Sequence, residues 1–191
     1  MQVSVVGADT FSLQTRLNNN RNPSIGTFER GVKLTEANLF GIGDEIDLSF
    51  FNTDGSVQYE AGYTLPLNYR DGTLNFKVRL ANNEIVEADF ELIDIDIKSR
   101  SYNLTWRQPI IQRATPEVSQ EFTLNFTAAR RESDTSIEDI PTDISPGVNS
   151  DGEIRTSAIS FGQEWLQRNR RQVIAARSQF NLGLDVFDAT I

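Results

Sequence analysis

The sequence predicts an all-β chain whose strands follow one another in an antiparallel, up-and-down order. Three observations carry this. Apolar and polar residues alternate with period two almost from end to end. All six prolines fall between the alternating segments or at their ends, where a missing N–H does no harm. Asp54-Gly55, Asp71-Gly72 and Asp151-Gly152 mark turns at the same junctions.

Nine segments alternate. Residues 11–19 set Leu13 and Leu17 against Gln14, Arg16 and Asn18. Residues 28–38 follow less cleanly, with Val32 and Leu34 on one face. In 44–53, Ile46, Leu48 and Phe50 oppose Glu45, Asp47 and Ser49. In 57–66, Val57, Tyr59, Ala61, Tyr63 and Leu65 oppose Gln58, Glu60 and Thr64. The cleanest is 72–82, where Leu74, Phe76, Val78 and Leu80 oppose Asn75, Lys77 and Arg79. In 99–109, Tyr102, Leu104 and Trp106 oppose Asn103, Thr105 and Arg107. In 121–132, Phe122, Leu124, Phe126 and Ala128 oppose Thr123, Asn125 and Thr127. Residues 153–166 align Ile159, Phe161 and Trp165. Last, 171–184 aligns Ile174, Ala176, Phe180, Leu182 and Leu184 against Ala175, Arg177, Gln179 and Asn181.

Alternation alone leaves two solvents open for the apolar face: the core of a soluble sandwich, or lipid around a barrel. Length favours lipid. Strands of globular proteins usually run about five or six residues, whereas a tilted strand crossing a bilayer needs about 9–11. The connections point the same way. Segments 20–27, 54–56, 83–98 and 133–152 share one end of the sheet and include both long acidic stretches. At the other end, 39–43, 67–71 and 167–170 are short and only 110–120 is longer. Membrane barrels pair long loops on one side with tight turns on the other.

Composition narrows the chemistry. With neither cysteine nor histidine in 191 residues, disulfides, thiolate chemistry and the common imidazole base or metal ligand are excluded. No run of about 18 apolar residues exists to form a transmembrane helix. The N-terminal MQVSVVGADTF shows no signal peptide. The formal net charge of −9 is concentrated. Residues 82–98 carry six carboxylates and one lysine, and 133–152 carry five carboxylates and no base. Nucleic acid is therefore not an expected partner, since it needs a basic stripe. Neither a cofactor nor a metal is expected. Gly41-Ile42-Gly43-Asp44 reads as a tight turn because it lacks the lysine and helix of a phosphate loop. Asn149-Ser150-Asp151-Gly152 lacks the ligand spacing of a calcium loop.

The candidate functional residues are therefore a wall, not a catalytic centre. Glu45, Asp47, Glu60, Asn75, Lys77, Arg79, Arg107, Asn125 and Arg177 are the candidate lumen-facing residues. Tyr59, Tyr63, Phe76, Tyr102, Trp106 and Trp165 are the candidate lipid-facing or interfacial girdle residues.

The run LNNNRNPSIGTFERGVKLTEANLFGIGDEIDLSFFNTDGS resembles the start of the barrel in two-partner-secretion transporters, the haemolysin secretion/activation proteins of the ShlB/FhaC/HecB type. The likeness continues through YTLPLNYRDGTLNF, YNLTWRQPII and FGQEW to RQVIAARSQFNLGLDVFDAT, and is greatest to the cyanobacterial branch. Asn20-Arg21-x-Pro23-Ser24-x-Gly26 and Asn38-Leu39-x-Gly41-x-Gly43-Asp44 are its most specific runs.

The resemblance implies a bacterial outer-membrane barrel of about 16 strands, of which this chain supplies about nine. By itself such a piece would be an open, curved sheet. The resemblance further implies a secreted exoprotein as partner, surrounding outer-membrane lipid, and the barrel-assembly machinery. Enzymatic activity is not expected. Residues 1–10 would be a remnant of a preceding POTRA domain or linker, and 11–191 the N-terminal part of the barrel. The family's plug helix and its Val-Arg-Gly-Tyr/Phe loop have no counterpart here, so the chain is expected to be truncated within the barrel and no loop residue carries over.

Overall fold

A computed structural model describes residues 9–87, 95–138, 140–142, 148–149 and 152–190. Within them the chain forms β1 (Phe11–Asn18), a single 3-10 turn (Pro23–Ile25), β2 (Glu29–Ala37), β3 (Glu45–Asn52), β4 (Ser56–Pro66) and β5 (Thr73–Glu84). It continues with β6 (Ile95–Ala114), β7 (Val118–Ile137), β8 (Ile140–Pro141), β9 (Glu153–Asn169) and β10 (Val173–Leu184). All ten strands join one antiparallel sheet in the order β1-β2-β3-β4-β5-β6-β7-β9-β10. The two-residue β8, which alternation did not reveal, lies off this path and pairs only with β7. β1 and β10 form the two edges and do not pair with each other. The expected open all-β meander is thus the observed fold.

Three strands are longer than expected. β6 and β7 each run 20 residues and β9 runs 17. Alternation lost them where the apolar face turns polar, at Arg100, Arg130, Glu132 and Arg155. The backbone ladder continues regardless, because it needs only N–H and C=O partners. Ion pairs cover the polar extension: Arg100 meets Glu132 at 3.8 Å, and Arg155 meets Glu153 at 2.8 Å. At the opposite end the alternation predicts a strand terminus at Pro109. A register shift between Pro109 and Ile111 instead accommodates it, and pairing runs on to Ala114 opposite Ser119. The connection expected at 110–120 shrinks to 115–117, so all four connections at that end are tight.

The other end is knitted together. The Asn22 side chain accepts the Ser24 N–H at 3.1 Å and starts the 3-10 turn. Gly55 N–H then donates to the Ile25 carbonyl, and Val86 N–H to that of Ser24. Gly26, at φ +88°, lies where a Cβ would sit 2.9 Å from the Asp54 nitrogen. The β1–β2, β3–β4 and β5–β6 connections are therefore bound to each other. Most carboxylates of the two acidic segments, and residues 1–8 of the expected POTRA or linker remnant, lie outside the described residues.

Burial is inverted relative to a soluble domain. Among the described residues no aliphatic or aromatic side chain other than that of Pro109 is buried. The buried side chains are instead polar, including Glu29, Asp44, Thr53, Ser56, Thr123 and Ser157, together with Pro109. Folding here has assembled one apolar face without covering it.

Candidate functional site

Register brings the polar residues into rows, since directly paired residues share a face. One row runs Asp47, Gly62, Lys77, Asn103. The next runs Ser49, Glu60, Arg79, Ser101, Arg131. On the other side of the first, Glu45, Thr64, Asn75, Thr105 and Thr127 align. Farther along, Arg107 opposes Asn125 and Arg177 opposes Glu164. All nine candidate polar residues share this face.

Except at Glu45, their charges are neutralised across strands. Glu60 accepts from Lys77 at 2.9 Å and from Arg79 at 2.6 Å. Lys33 reaches Asp47 at 3.5 Å, and Arg177 reaches Glu164 at 3.3 Å. Arg107 pairs with Glu121. Neutral bonds fill between: Asn75 Nδ2 donates to Thr64 Oγ1 at 2.8 Å, and the Thr105 and Thr127 hydroxyls meet at 3.0 Å.

Glycines shape this wall. Asp47 lies across Gly62, where any Cβ would collide with its carboxylate. Phe51 turns onto the polar face over Gly31, and the Arg16 guanidinium sits 5.4 Å from its ring centre. Sequence reasoning missed Phe51, Glu29, Glu121, Glu164 and Arg131. The carboxylates and Arg131 carried a usable signal, being in phase with neighbours already assigned. Phe51 had none, because only the facing Gly31 makes room for it.

The six aromatic candidates share the opposite face. Phe76 pairs directly with Tyr63 and Leu104. Tyr59 packs on Phe50 at 5.2 Å, Trp106 on Phe126 at 5.4 Å and Trp165 near Phe122 at 6.2 Å. Tyr102 and Trp165 end the apolar stretch of their strands, while Tyr63, Phe76 and Trp106 lie inside it. The apolar band also drifts. The row of Phe50 and Tyr59 continues into Leu80, then Arg100, Glu132 and Arg155. On β9 and β10 the apolar residues sit lower, at Phe161 and Phe180. Strands tilted to the axis of a band require this drift.

Tyr63 also anchors the β2–β3 turn. Its hydroxyl donates to Asp44 Oδ2 at 3.0 Å, and Phe40 N–H donates to Oδ1 at 3.0 Å. Burial would raise the Asp44 carboxyl, but the Phe40 N–H and the Tyr63 hydroxyl outweigh it and hold it below the usual range.

Among the described residues no cluster of three or more carboxylates could hold a metal ion. Nor is any helix long and apolar enough to cross a membrane, which says nothing of strands. The arrangement is a polar wall backed by an apolar wall.

Solved structures share this architecture. CdiB from Escherichia coli superposes with a TM-score of 0.80 at 13% identity, over 97% of this chain and 34% of that one. CdiB from Acinetobacter baumannii gives 0.60 at 16% identity, over 91% and 31%. BamA from Haemophilus ducreyi, lacking POTRA domains 1–3, gives 0.53 at 14% identity, over 94% and 35%. The chain thus spans about a third of the length of these proteins. No curated protein matches the sequence significantly. The family described as haemolysin secretion/activation protein ShlB/FhaC/HecB matches over residues 1–190, and the chain belongs to that family.

Proposed function

We propose that this chain forms part of the barrel wall of a bacterial outer-membrane transporter that exports a large secreted partner protein. The observation that carries the reading is the inverted burial: an entire apolar face left uncovered in a single-layer sheet. In water that face would drive aggregation; in a bilayer it is solvated by lipid. Tyr59, Tyr63, Phe76, Tyr102, Trp106 and Trp165 then meet lipid or its interface. Glu45, Asp47, Glu60, Asn75, Lys77, Arg79, Arg107, Asn125 and Arg177 line a hydrated conduit. Family membership supports protein export as the cargo class. The work is transport, with no bond chemistry.

Strand direction supports a larger barrel. Nine strands lie on the meander path, so β1 and β10 run the same way. Closing them on each other would make a parallel pair. Antiparallel closure needs an odd number of further strands. Until those pair, both edges offer unpaired N–H and C=O groups, which accords with a need for assembly machinery in the membrane.

The test uses the full transporter in its outer membrane. Heat-modifiable gel migration and loss of partner export on deletion are the expected results. A protein that is monomeric and stable in buffer without detergent would overturn the membrane reading. Heat-modifiable migration with undiminished export after deletion would reduce it to a passive pore.

A further inference from the structure

Among the described residues, two strand cations of the polar face are left without an ion pair: Arg168, beside the β9–β10 turn, and Arg131, near the opposite end of the sheet. Arg131 stands exposed on β7, and among the described residues it makes no ion pair or side-chain hydrogen bond. Register places it in the same row as Arg79, with Ser101 between them as the direct partner of both. Two inter-strand spacings separate the pair, about 9.5 Å at the backbone. Guanidinium arms leaning inward can therefore address one group between them.

The floor is small and polar. Ser99 and Ser133 pair directly beside that row, with their hydroxyls 3.5 Å apart. Lys77 flanks it from β5. These residues line a cavity of about 420 Å³, whose lining also includes Arg100 and Glu132; Glu132 is already paired with Arg100 at 3.8 Å and Arg130 at 2.8 Å. Glu60 is already shared by Lys77 and Arg79 and is the one carboxylate those cations pair with. Arg131 therefore adds uncompensated positive charge to a chain whose formal charge is −9.

Resting on the conduit reading above, we propose that the trough between Arg79 and Arg131 is a binding station for carboxylate side chains of the exported polypeptide. A guanidinium fork matches a carboxylate with two parallel N–H···O bonds, and the serine hydroxyls supply further donors. The trough lies toward the end of the sheet that bears the acidic segments 82–98 and 133–152. A carboxylate moving outward would meet this cationic site before those acidic segments.

The experiment places the full transporter in planar bilayers and measures current block by a short oligoglutamate. Oligoglutamate should block and oligolysine should not. Arg131→Ser should raise the half-blocking concentration about tenfold, as loss of one charge-assisted pair does, with Arg131→Lys in between. Glu60→Gln should lower it, because Lys77 and Arg79 are released toward the trough. An unchanged half-blocking concentration in Arg131→Ser, at normal conductance and heat-modifiable migration, would overturn the station while leaving the pore intact. Equal block by inorganic phosphate, equally sensitive to Arg131→Ser, would overturn the polypeptide as its occupant. Absence of conductance in the unaltered protein would overturn the pore itself, and the station with it.

Discussion

Replacing Phe76 by lysine tests which face meets lipid. Phe76 is 47% exposed on the apolar face, paired with Tyr63 and Leu104 and flanked on its own strand by Leu74 and Val78. A lysine there has no polar refuge. On that face of β5 the apolar run ends upward at Asn82, six residues away, and downward at Gly72, four residues away and just before the strand starts. At a rise of about 3.3 Å per residue the nearer end is about 13 Å off, against a lysine arm of about 6 Å. The charge therefore stays in hydrocarbon, at about 2–4 kcal/mol. At 1.4 kcal/mol per tenfold, assembly should fall about 30- to 700-fold. Asn75→Lys, one residue away, faces the polar side and forfeits the bond to Thr64 Oγ1 at 2.8 Å and a long one to the Tyr63 carbonyl at 3.5 Å. That costs about 1 kcal/mol, or about fivefold. Urea titration of the full transporter folded into lipid vesicles, with heat-modifiable migration as the signal, reads both. Equal destabilisation by the two lysines would refute the facing and with it the membrane reading.

Three further outcomes follow from local geometry. Gly31→Ala places a Cβ 2.6 Å from the Phe51 ring and should cost about 1–3 kcal/mol in the same titration; an unchanged midpoint would show that Phe51 does not rest on Gly31. Gly55→Val drives a side chain into the Glu84 carbonyl and Val86, so it should loosen the knitted connections, seen as faster protease nicking near residue 86 with assembly unchanged. Asp44 carries a lowered carboxyl, so its contribution to stability is present above the ordinary unfolded value and is lost as pH falls through the folded one. Acid titration should therefore relax the β2–β3 turn only below the usual carboxylate range, read by exchange of the Phe40 amide. Tyr63→Phe should move that loss to higher pH, and Asp44→Asn should abolish the pH dependence; a Phe40 amide indifferent to both would show that Asp44 does not hold the turn.

Much of the wall was legible because period-two alternation is a local consequence of the pleat. Asn75, Lys77 and Arg79 had to share one face and Phe76 and Val78 the other in any extended chain. What remained hidden depended on partners distant in sequence. The 20-residue lengths of β6 and β7 were masked because Arg100, Arg130 and Glu132 break the apolar pattern while their backbones stay paired. Pro109 looked like a terminus because only the opposite strand reveals the shifted register that accommodates it.

By itself the sequence determined the strand count along the meander, the two faces, the order of the turns and the family. Each of these is encoded within a few consecutive residues or in an unbroken motif. Only the tertiary structure decided which residues of different strands became neighbours. It placed Glu60 between Lys77 and Arg79, laid Phe51 over Gly31, and left Arg131 across Ser101 from Arg79 without a carboxylate. The reason is that alternation survives any even slip between strands, whereas neighbours do not. Register is set by hydrogen-bonded pairing over tens of residues and by strand tilt, and neither is written in any one strand.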